Sequence, residues 1–443
     1  MLVYGTKTNA TKMKWGDMAD HTVQDVTAEQ AALRTQIQRF LESNARARSR
    51  SDDEDDPGGL FDEVDESTER ERIAQSQSFQ ARLADAGFAG ITWPKEYGGA
   101  GMSPRELEIF NEEAAGYELP TRIFMIGHGM CGPTLLALGT EEQKRHYIPP
   151  MLRGDEIWCQ LFSEPGAGSD VASLQTRAVR DGDEWTVNGQ KVWTSGAHYA
   201  DYGILIARTN PDAPKHRGIT MFIVDMRSPG IEIRPLRQIT GGANFNEVFF
   251  TDTHIPHANV VGDVDEGWRA AITVLMNARM AGVSAQGGGG GMGGASVRSL
   301  IALARERGVD GDPVVRQLLA GLWIRSTIQR YTGIRMRETA RSGRVPGPEG
   351  SIAKLYGAQL SRDMGSAAVA IAGTGGQAWD EGARGGDRWA MAVLSAPGSG
   401  IAGGTDQVQR NIIGERVLGL PKEPQVDRET PFRDLLVGTQ RVS

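Results

Sequence analysis

A glycine-rich turn beside two segments of alternating polarity places the strongest constraint on this chain. Residues 164–170 read EPGAGSD, which is too tight for a helix and too short for a linker. The runs TRAVRD and EWTVNGQKVWTS follow it, and their period of two predicts half-buried strands with a hairpin turn at Asn188-Gly189. Such a turn gathers backbone N–H groups and the hydroxyls of Ser163 and Ser169, which suits a planar, phosphate-bearing ligand. An exposed turn in an ordinary β domain fits the same residues equally well.

The order of the predicted elements divides the chain into three parts. Helical patterns dominate residues 1–155, although the first 25 show no clear periodicity. Strand-like runs fill residues 156–264, namely YGILIART, GITMFIVDM, IEIRPL and NEVFFTDTHI. Helical patterns return in residues 265–443. We therefore expect an α+β protein with an N-terminal helical domain, a central β domain and a C-terminal helical domain at those boundaries.

Local signals predict where several helices begin and end. Thr27 precedes an amphipathic pattern, and Ser103 and Glu106 form a capping box with proline at the first helical position. In the last part, helices are predicted to begin near Asp265 and to cover about 297–308, 313–340, 350–373 and 404–417. The glycine run at 287–294 is interpreted as a connector, and the acidic run at 51–56 as a solvated loop.

Composition excludes several classes of function. The 443 residues carry a formal net charge of −8, which argues against a nucleic-acid partner. No apolar run approaches the roughly 20 residues of a membrane span, and the start does not resemble a signal peptide. Two cysteines, Cys131 and Cys159, are too few for a disulfide framework, so we expect a reducing cytoplasm. The seven histidines show no metal-ligand spacing, so we expect no metal.

Four motifs from about residue 85 to about residue 425 resemble the acyl-CoA dehydrogenase family of flavoproteins, in its actinobacterial fatty-acyl-CoA form. They are WCQLFSEPGAGSD, NGQKVWTSGAHYADYGILIART, NEVFFTDTHIP and GGTDQVQRNIIGERVLGLP, in the family's order. The resemblance implies a central β barrel and a C-terminal four-helix bundle. It also implies FAD as cofactor, oxidation of an acyl-CoA to the trans-2-enoyl-CoA, and electron transfer to an electron-transfer flavoprotein.

The same resemblance assigns the residues that contact FAD. The isoalloxazine would lie along Gln160, Leu161, Phe162 and Ser163, the pyrophosphate under Gly168 and Ser169, and an aromatic wall with hydroxyls at Trp193, Thr194 and Ser195. The family completes each FAD site from a neighbouring subunit, which implies an obligate homodimer or homotetramer. The residues that would reach across or border that site are Arg298, Gln317, Ala370, Gly373, Thr374, Thr405 and Gln407.

The family's proton acceptor is missing from both positions where the resemblance expects it. Hydride transfer from the β-carbon needs a carboxylate that removes the α-proton. Gly403 occupies the place of the loop-borne glutamate, and Ala278 occupies the place of the helix-borne glutamate that precedes Arg279. Arg279 and Ser169 are the residues that the resemblance places beside the acyl-CoA thioester. Glu247 is a conceivable substitute base, although its family position is structural.

Three hypotheses follow from the missing carboxylate. The first is an ordinary dehydrogenase in which a glutamate at position 278 has been exchanged for alanine to trap a ligand. The second is a chain in which Ala278 is native, either paired with a related base-bearing subunit or running desulfinase-like or oxygenase-like chemistry. The third is a non-catalytic protein that binds acyl-CoA or FAD. The acyl chain could be short, branched, steroid-like or aromatic.

Overall fold

Helices form most of the N-terminal part of the chain. The computed structural model describes residues 27–48, 66–285, 295–341, 347–376, 386–425 and 427–436. In this part of the chain, the helices before the main sheet are α1 (Ala28–Asn44), α2 (Glu66–Asp85), α3 (Pro104–Ala114), α4 (Gly132–Leu138) and α5 (Glu141–Arg153). A two-residue ladder joins β1 (Arg46–Ala47) to β2 (Tyr117–Glu118). The predicted starts, Thr27 and Ser103, cap α1 and α3 with their side chains.

The central domain is one eight-stranded sheet. Its strands are β3 (Trp158–Leu161), β4 (Arg177–Asp181), β5 (Glu184–Ser195), β6 (Tyr202–Arg208), β7 (Ile219–Asp225), β8 (Ile231–Leu236), β9 (Phe245–Pro256) and β10 (Val260–Val261). The spatial order is β10-β7-β6-β4-β5-β9-β8, with β3 parallel to β6. The four strand-like runs named from the sequence correspond to β6, β7, β8 and β9.

The alternation of side chains along the strands feeds two separate apolar cores. On β6, Ile204 and Ile206 pack into a cluster with α5, α6 and the N-terminal helices. Leu205 and Ala207 point the other way, into a cluster made almost entirely of side chains from the sheet itself. Because both faces of β6 are buried, this strand reads as a continuous apolar run. The sheet is thereby fixed against the helical domain at the place where β3 leads into the glycine-rich turn.

The predicted hairpin at Asn188-Gly189 is wrong. β5 runs without a break through both residues, and the turn between β4 and β5 lies at Gly182, where φ is +58°. The Asn188 side chain is instead engaged across the sheet, because its Nδ2 donates to Asp252 Oδ1 at 2.9 Å. Gly189 marks a register shift where a Cβ atom would approach Thr176 within 2.7 Å, so glycine is required there for packing.

Helices also form the C-terminal part. They are α6 (Gly267–Ala285), α7 (Val297–Glu306), α8 (Pro313–Arg341), α9 (Gly350–Ala372), α10 (Gly386–Ser399) and α11 (Asp406–Ile412). Helix α10 was not predicted, because the glycines at its ends and the internal Pro397 are typical of a loop. Residues 1–25, the acidic run at 51–56 and the glycine run at 287–294 lie outside the described residues. No helix in the described ranges is long and apolar enough to cross a membrane.

Candidate cofactor site

The glycine-rich turn after β3 is closed on itself and open on its outer side. The backbone N–H of Glu164 donates to the carbonyl of Ala167 at 3.1 Å, and the reverse bond measures 3.0 Å. Gly168 and Ser169 are exposed, and a Cβ atom at Gly168 would meet nothing within 4 Å. The turn therefore has a fixed base and a free rim that a ligand can approach closely.

A buried ion pair fixes the base of this turn. Lys191 of β5 is fully buried, and its Nζ donates to Glu164 Oε1 at 2.8 Å and to the carbonyl of Phe162 at 3.0 Å. The Glu164 carboxylate also accepts the backbone N–H groups of Gln175 at 2.7 Å and Thr176 at 3.0 Å. The Glu164 carboxylate thus links the start of the glycine-rich turn to residues 175–176, and the Lys191 ammonium links this carboxylate and Phe162 to β5.

Burial and charge act in opposite directions on the pKa values of this pair. Burial alone would raise the pKa of Glu164, but the charge of Lys191 and the hydrogen bonds from Lys191, Thr176 and Gln175 exceed it, so the pKa lies below its ordinary value. Burial lowers the pKa of Lys191 against the attraction of Glu164. The carboxylate is therefore held in its charged form behind the turn.

Trp193 has the features of a ligand platform. It lies where the pairing of β5 with β9 shifts register, and its φ of +61° is an unusual backbone conformation for a bulky residue. Its side chain is 57% exposed and packs edge-on against Phe245, with ring centroids 5.8 Å apart. A strained backbone that presents a large aromatic ring to solvent is typical of binding sites.

Buried polar atoms lie directly next to this platform. Asn246 Nδ2 donates to the carbonyl of Thr194 at 3.0 Å, and both residues are buried. Thr194 Oγ1 and Asn246 Oδ1 have no hydrogen-bond partner among the residues that the structure describes. Ser195 and Ser163 are half-buried nearby, and the Ser163 carbonyl accepts the N–H of Val192 at 2.9 Å.

The structure thus brings together the first group of predicted FAD contacts. Those residues lie on β3, the turn and β5: Gln160, Leu161, Phe162, Ser163, Gly168, Ser169, Trp193, Thr194 and Ser195. Leu161 and Phe162 are buried, whereas the rim of the turn and Trp193 are exposed. An exposed aromatic ring, the unpartnered hydroxyl of Thr194 and an open glycine turn fit the planar ring and pyrophosphate of a flavin nucleotide.

The second group lies on the C-terminal helices. Gln317 and Ala370 both line a groove of about 590 Å³ between α8 and α9. Gly373 and Thr374 are exposed directly after α9, and Arg298 is exposed in the first turn of α7. Thr405 caps α11, because its Oγ1 accepts the N–H of Val408 at 3.2 Å, and Gln407 is exposed in the first turn of that helix.

The two positions expected for a base differ in their backbone. Ala278 is half-buried in α6, next to Asn277, whose Nδ2 donates to Thr134 Oγ1 at 3.2 Å. Gly403 lies in a turn with φ of +66°, a conformation that disfavours glutamate. The side chain of Arg279 lies outside the described part. Glu247 accepts a hydrogen bond from Gln190 across the sheet at 2.9 Å, in keeping with a structural role.

Sequence reasoning missed two residues that shape the site, Lys191 and Arg208. Lys191 continues the inward-facing series of Trp185 and Val187 along β5, and a lysine at such a position signals a buried partner. Arg208 ends β6 and is only 4% exposed. In the described ranges, no group of three or more histidine, cysteine, aspartate or glutamate residues could hold a metal ion.

Three protein-family models match the chain in the order of its domains. They are described as the acyl-CoA dehydrogenase N-terminal domain over residues 27–155, the middle domain over 159–253 and the C-terminal domain over 265–418. The chain belongs to the acyl-CoA dehydrogenase family. This confirms the resemblance and the three-part fold that the sequence predicted.

Relatives within the acyl-CoA dehydrogenases span most of the chain. Acyl-CoA dehydrogenase IpdE1 of Mycobacterium tuberculosis is 38% identical over 361 residues, which cover 80% of this chain and 90% of that protein. Acyl-CoA dehydrogenase FadE34 of the same organism is 39% identical over 82% of this chain, but the match spans only 49% of FadE34.

Solved acyl-CoA dehydrogenase structures share the fold. The steroid ACAD Tcur3481-Tcur3483 is 30% identical with a TM-score of 0.72, and the match covers 90% of this chain and 99% of that one. The ChsE4-ChsE5 complex of Mycobacterium tuberculosis is also 30% identical, with a TM-score of 0.68 and the same coverage.

Proposed function

We propose that this acyl-CoA dehydrogenase binds FAD between Trp193 and residues 161–169, which comprise the end of β3 and most of the glycine-rich turn. The observation that carries the proposal is the exposed Trp193 ring, held at a positive φ beside an open glycine turn. When bound, FAD supplies the acceptor for the hydride that leaves the β-carbon of the acyl-CoA. The protein's own part is to clamp, orient and shield the two ligands.

The residues that would contact FAD have distinct parts in this proposal. Trp193 forms a wall against the isoalloxazine, and the strand end at Leu161–Ser163 runs along its edge. Gly168 leaves room for the backbone to approach the pyrophosphate, and Ser169 offers a hydroxyl to FAD or to the thioester side of the substrate. The Glu164–Lys191 pair keeps the turn and β5 in register.

We further propose that Ala278 is native and that the chain works with a related, base-bearing subunit. Gly403 lies at a positive φ, so its turn is not built to carry a glutamate. Two solved relatives, Tcur3481-Tcur3483 and ChsE4-ChsE5, are named as pairs of components. A subunit without its own carboxylate fits an assembly in which another chain supplies the proton acceptor.

The outer side of α8 is the surface we assign to this assembly. Exposed apolar residues lie along this helix in two groups, and the members of each group are three or four positions apart. They are exposed by between 37% and 76% of their surface: Val314, Leu318, Ile324, Ile328 and Tyr331. Exposed apolar residues that extend from position 314 to position 331 of one helix are typical of a protein–protein interface. Gln317 and Ala370 share the adjoining groove, which supports their reaching a neighbour's cofactor.

The proposed substrate is a bulky acyl-CoA such as a steroid-derived thioester. The support is the 30% identity to a structure named as a steroid ACAD, over nine-tenths of this chain. Electrons would leave through an electron-transfer flavoprotein, as the family resemblance implies.

Anaerobic mixing with a steroid-side-chain acyl-CoA, followed by the visible absorbance of the flavin, tests the proposal. We expect the isolated chain to bind FAD and to leave it oxidised, because no carboxylate removes the α-proton. Ala278→Glu should restore bleaching. Its matched control, Ala278→Gln, adds the same bulk without a proton acceptor and should not.

Purification of the tagged chain from its native host tests the assembly. A co-purified, related chain that restores bleaching to the unsubstituted protein would support the base-bearing subunit. Rapid bleaching of the isolated chain would show that it carries its own base and would contradict this part of the proposal. Failure to bind FAD would contradict the cofactor assignment itself.

A further inference from the structure

The C-terminal residues 427–436, here called the C-terminal strap, return to the central β domain. They lie beyond residue 418, where the match to the family's C-terminal domain ends. The N–H of Phe432 donates to the carbonyl of Ala213 at 2.9 Å, and the N–H of Arg433 donates to the carbonyl of Pro211 at 3.0 Å. The strap is thus bound by backbone hydrogen bonds to the loop between β6 and β7.

The ring of Phe432 covers a buried cation. The guanidinium carbon of Arg208 lies 3.8 Å from the centre of the Phe432 ring. On its other side, Arg208 Nη1 donates to the carbonyls of Lys215 and Arg217, each at 2.9 Å. A cation stacked on an aromatic ring and shielded from water makes its hydrogen bonds without competition from solvent.

Arg208 also holds residues 170–176, which directly follow the glycine-rich turn. Its Nη2 donates to the carbonyl of Ala172 at 2.6 Å, and its backbone N–H donates to the carbonyl of Thr176 at 2.7 Å. Beside it, Lys215 Nζ contacts the carboxylates of Asp170 at 3.1 Å and Asp427 of the strap at 4.0 Å. A continuous set of contacts therefore runs from the strap, through Arg208 and Lys215, to residues 170–176.

We propose that the C-terminal strap positions residues 170–176, which follow the glycine-rich turn, through Arg208, and that Phe432 is the residue on which this positioning depends. Without the ring, water reaches the guanidinium and competes for its bond to Ala172. The backbone hydrogen bonds of residues 170–176 then open more often. The predicted effect on FAD binding rests on the proposed FAD site. The contacts between the strap, Arg208 and residues 170–176 do not depend on FAD.

Amide hydrogen exchange of the full-length, flavin-free protein tests the structural part. In Phe432→Ala, exchange in peptides that span 170–176 should accelerate about tenfold, the size of one desolvated cation–π contact. Leu436→Ala is the matched control, since this strap residue is 62% exposed, and it should exchange like the unsubstituted protein. Phe432→Leu keeps the apolar bulk and should give an intermediate value, which serves if the alanine variant does not fold.

Titration with FAD tests the functional part. The dissociation constant of Phe432→Ala should rise about tenfold, with no change in Leu436→Ala. Unchanged exchange at 170–176 in Phe432→Ala would contradict the proposed role of the strap. Equal acceleration in the distant helix α1 would also contradict it, because the effect would then be a general loss of stability. If exchange changes as expected but the unsubstituted protein binds no FAD, the proposed cofactor site is wrong while the strap stands.

Discussion

Replacement of Lys191 by methionine is the sharpest test of how the glycine-rich turn is held in place. Methionine keeps the length and bulk of the buried side chain but removes its charge and both hydrogen bonds. Glu164 is 8% exposed, so it would be left as an uncompensated buried carboxylate. The removal of one member of a buried ion pair costs about 3–5 kcal/mol of unfolding free energy.

Because the cost comes from the unpaired charge, removing both charges should cost less than the sum of the single changes. We expect Lys191→Met and Glu164→Gln each to lower the urea midpoint, and the double variant to recover about 2 kcal/mol relative to additivity. Arg234→Met is the matched control. Its partner Glu232 is 60% exposed, so solvent screens that surface pair and its loss should leave the urea midpoint nearly unchanged.

Affinity for FAD should follow the same order as stability in these variants. Both single variants should release FAD more readily than the control, because the Glu164–Lys191 contact no longer links the turn to β5. Single changes that cost less than about 1 kcal/mol, or an additive cycle, would refute the reasoning. The pair would then be an incidental contact behind the turn.

Two further predictions follow from backbone strain and from burial. Trp193→Gly should weaken FAD binding without a large change in unfolding free energy, because relief of strain at φ of +61° offsets the lost contact with Phe245. Asp252→Gly, also at positive φ, should leave FAD affinity unchanged. Burial, and then the charge of Asp201, raise the pKa of Glu156 to about 7, so its contribution to stability is fully present below about pH 4.5 and is lost as the pH rises through 7. The stability difference between Glu156→Gln and the unsubstituted protein, measured by thermal unfolding, should therefore move by about 1–2 kcal/mol in favour of the variant between pH 5 and pH 8. A difference that stays constant over this range would contradict the assignment.

Local signals in the sequence predicted much of the fold. The capping residues Thr27 and Ser103 mark helix starts because their side chains bond to nearby backbone groups, and such contacts need no tertiary information. The alternation in β9 shows which residues point into a core, and the continuous apolar run of β6 indicates a strand buried on both faces. The hairpin failed because Asn188-Gly189 and Gly182 both offer turn chemistry, and only the packing against Thr176 and Asp252 decides between them.

The parts of the site that the sequence did not predict depend on contacts between distant residues. Lys191 meets Glu164 from another strand, 27 positions away. Phe432 meets Arg208 across most of the C-terminal half of the chain. Neither pair leaves a local pattern, whereas Trp193 and the turn 164–170 each lie within a short motif of the family resemblance.

Titration of the flavin-free protein with FAD, read from the quenching of flavin fluorescence, tests the central claim most directly. We expect saturable binding to one site per chain in the assembled protein, and much weaker binding by Trp193→Gly. Absence of saturable binding, or equal affinity of the two proteins, would contradict the assignment of the cofactor to the turn and Trp193.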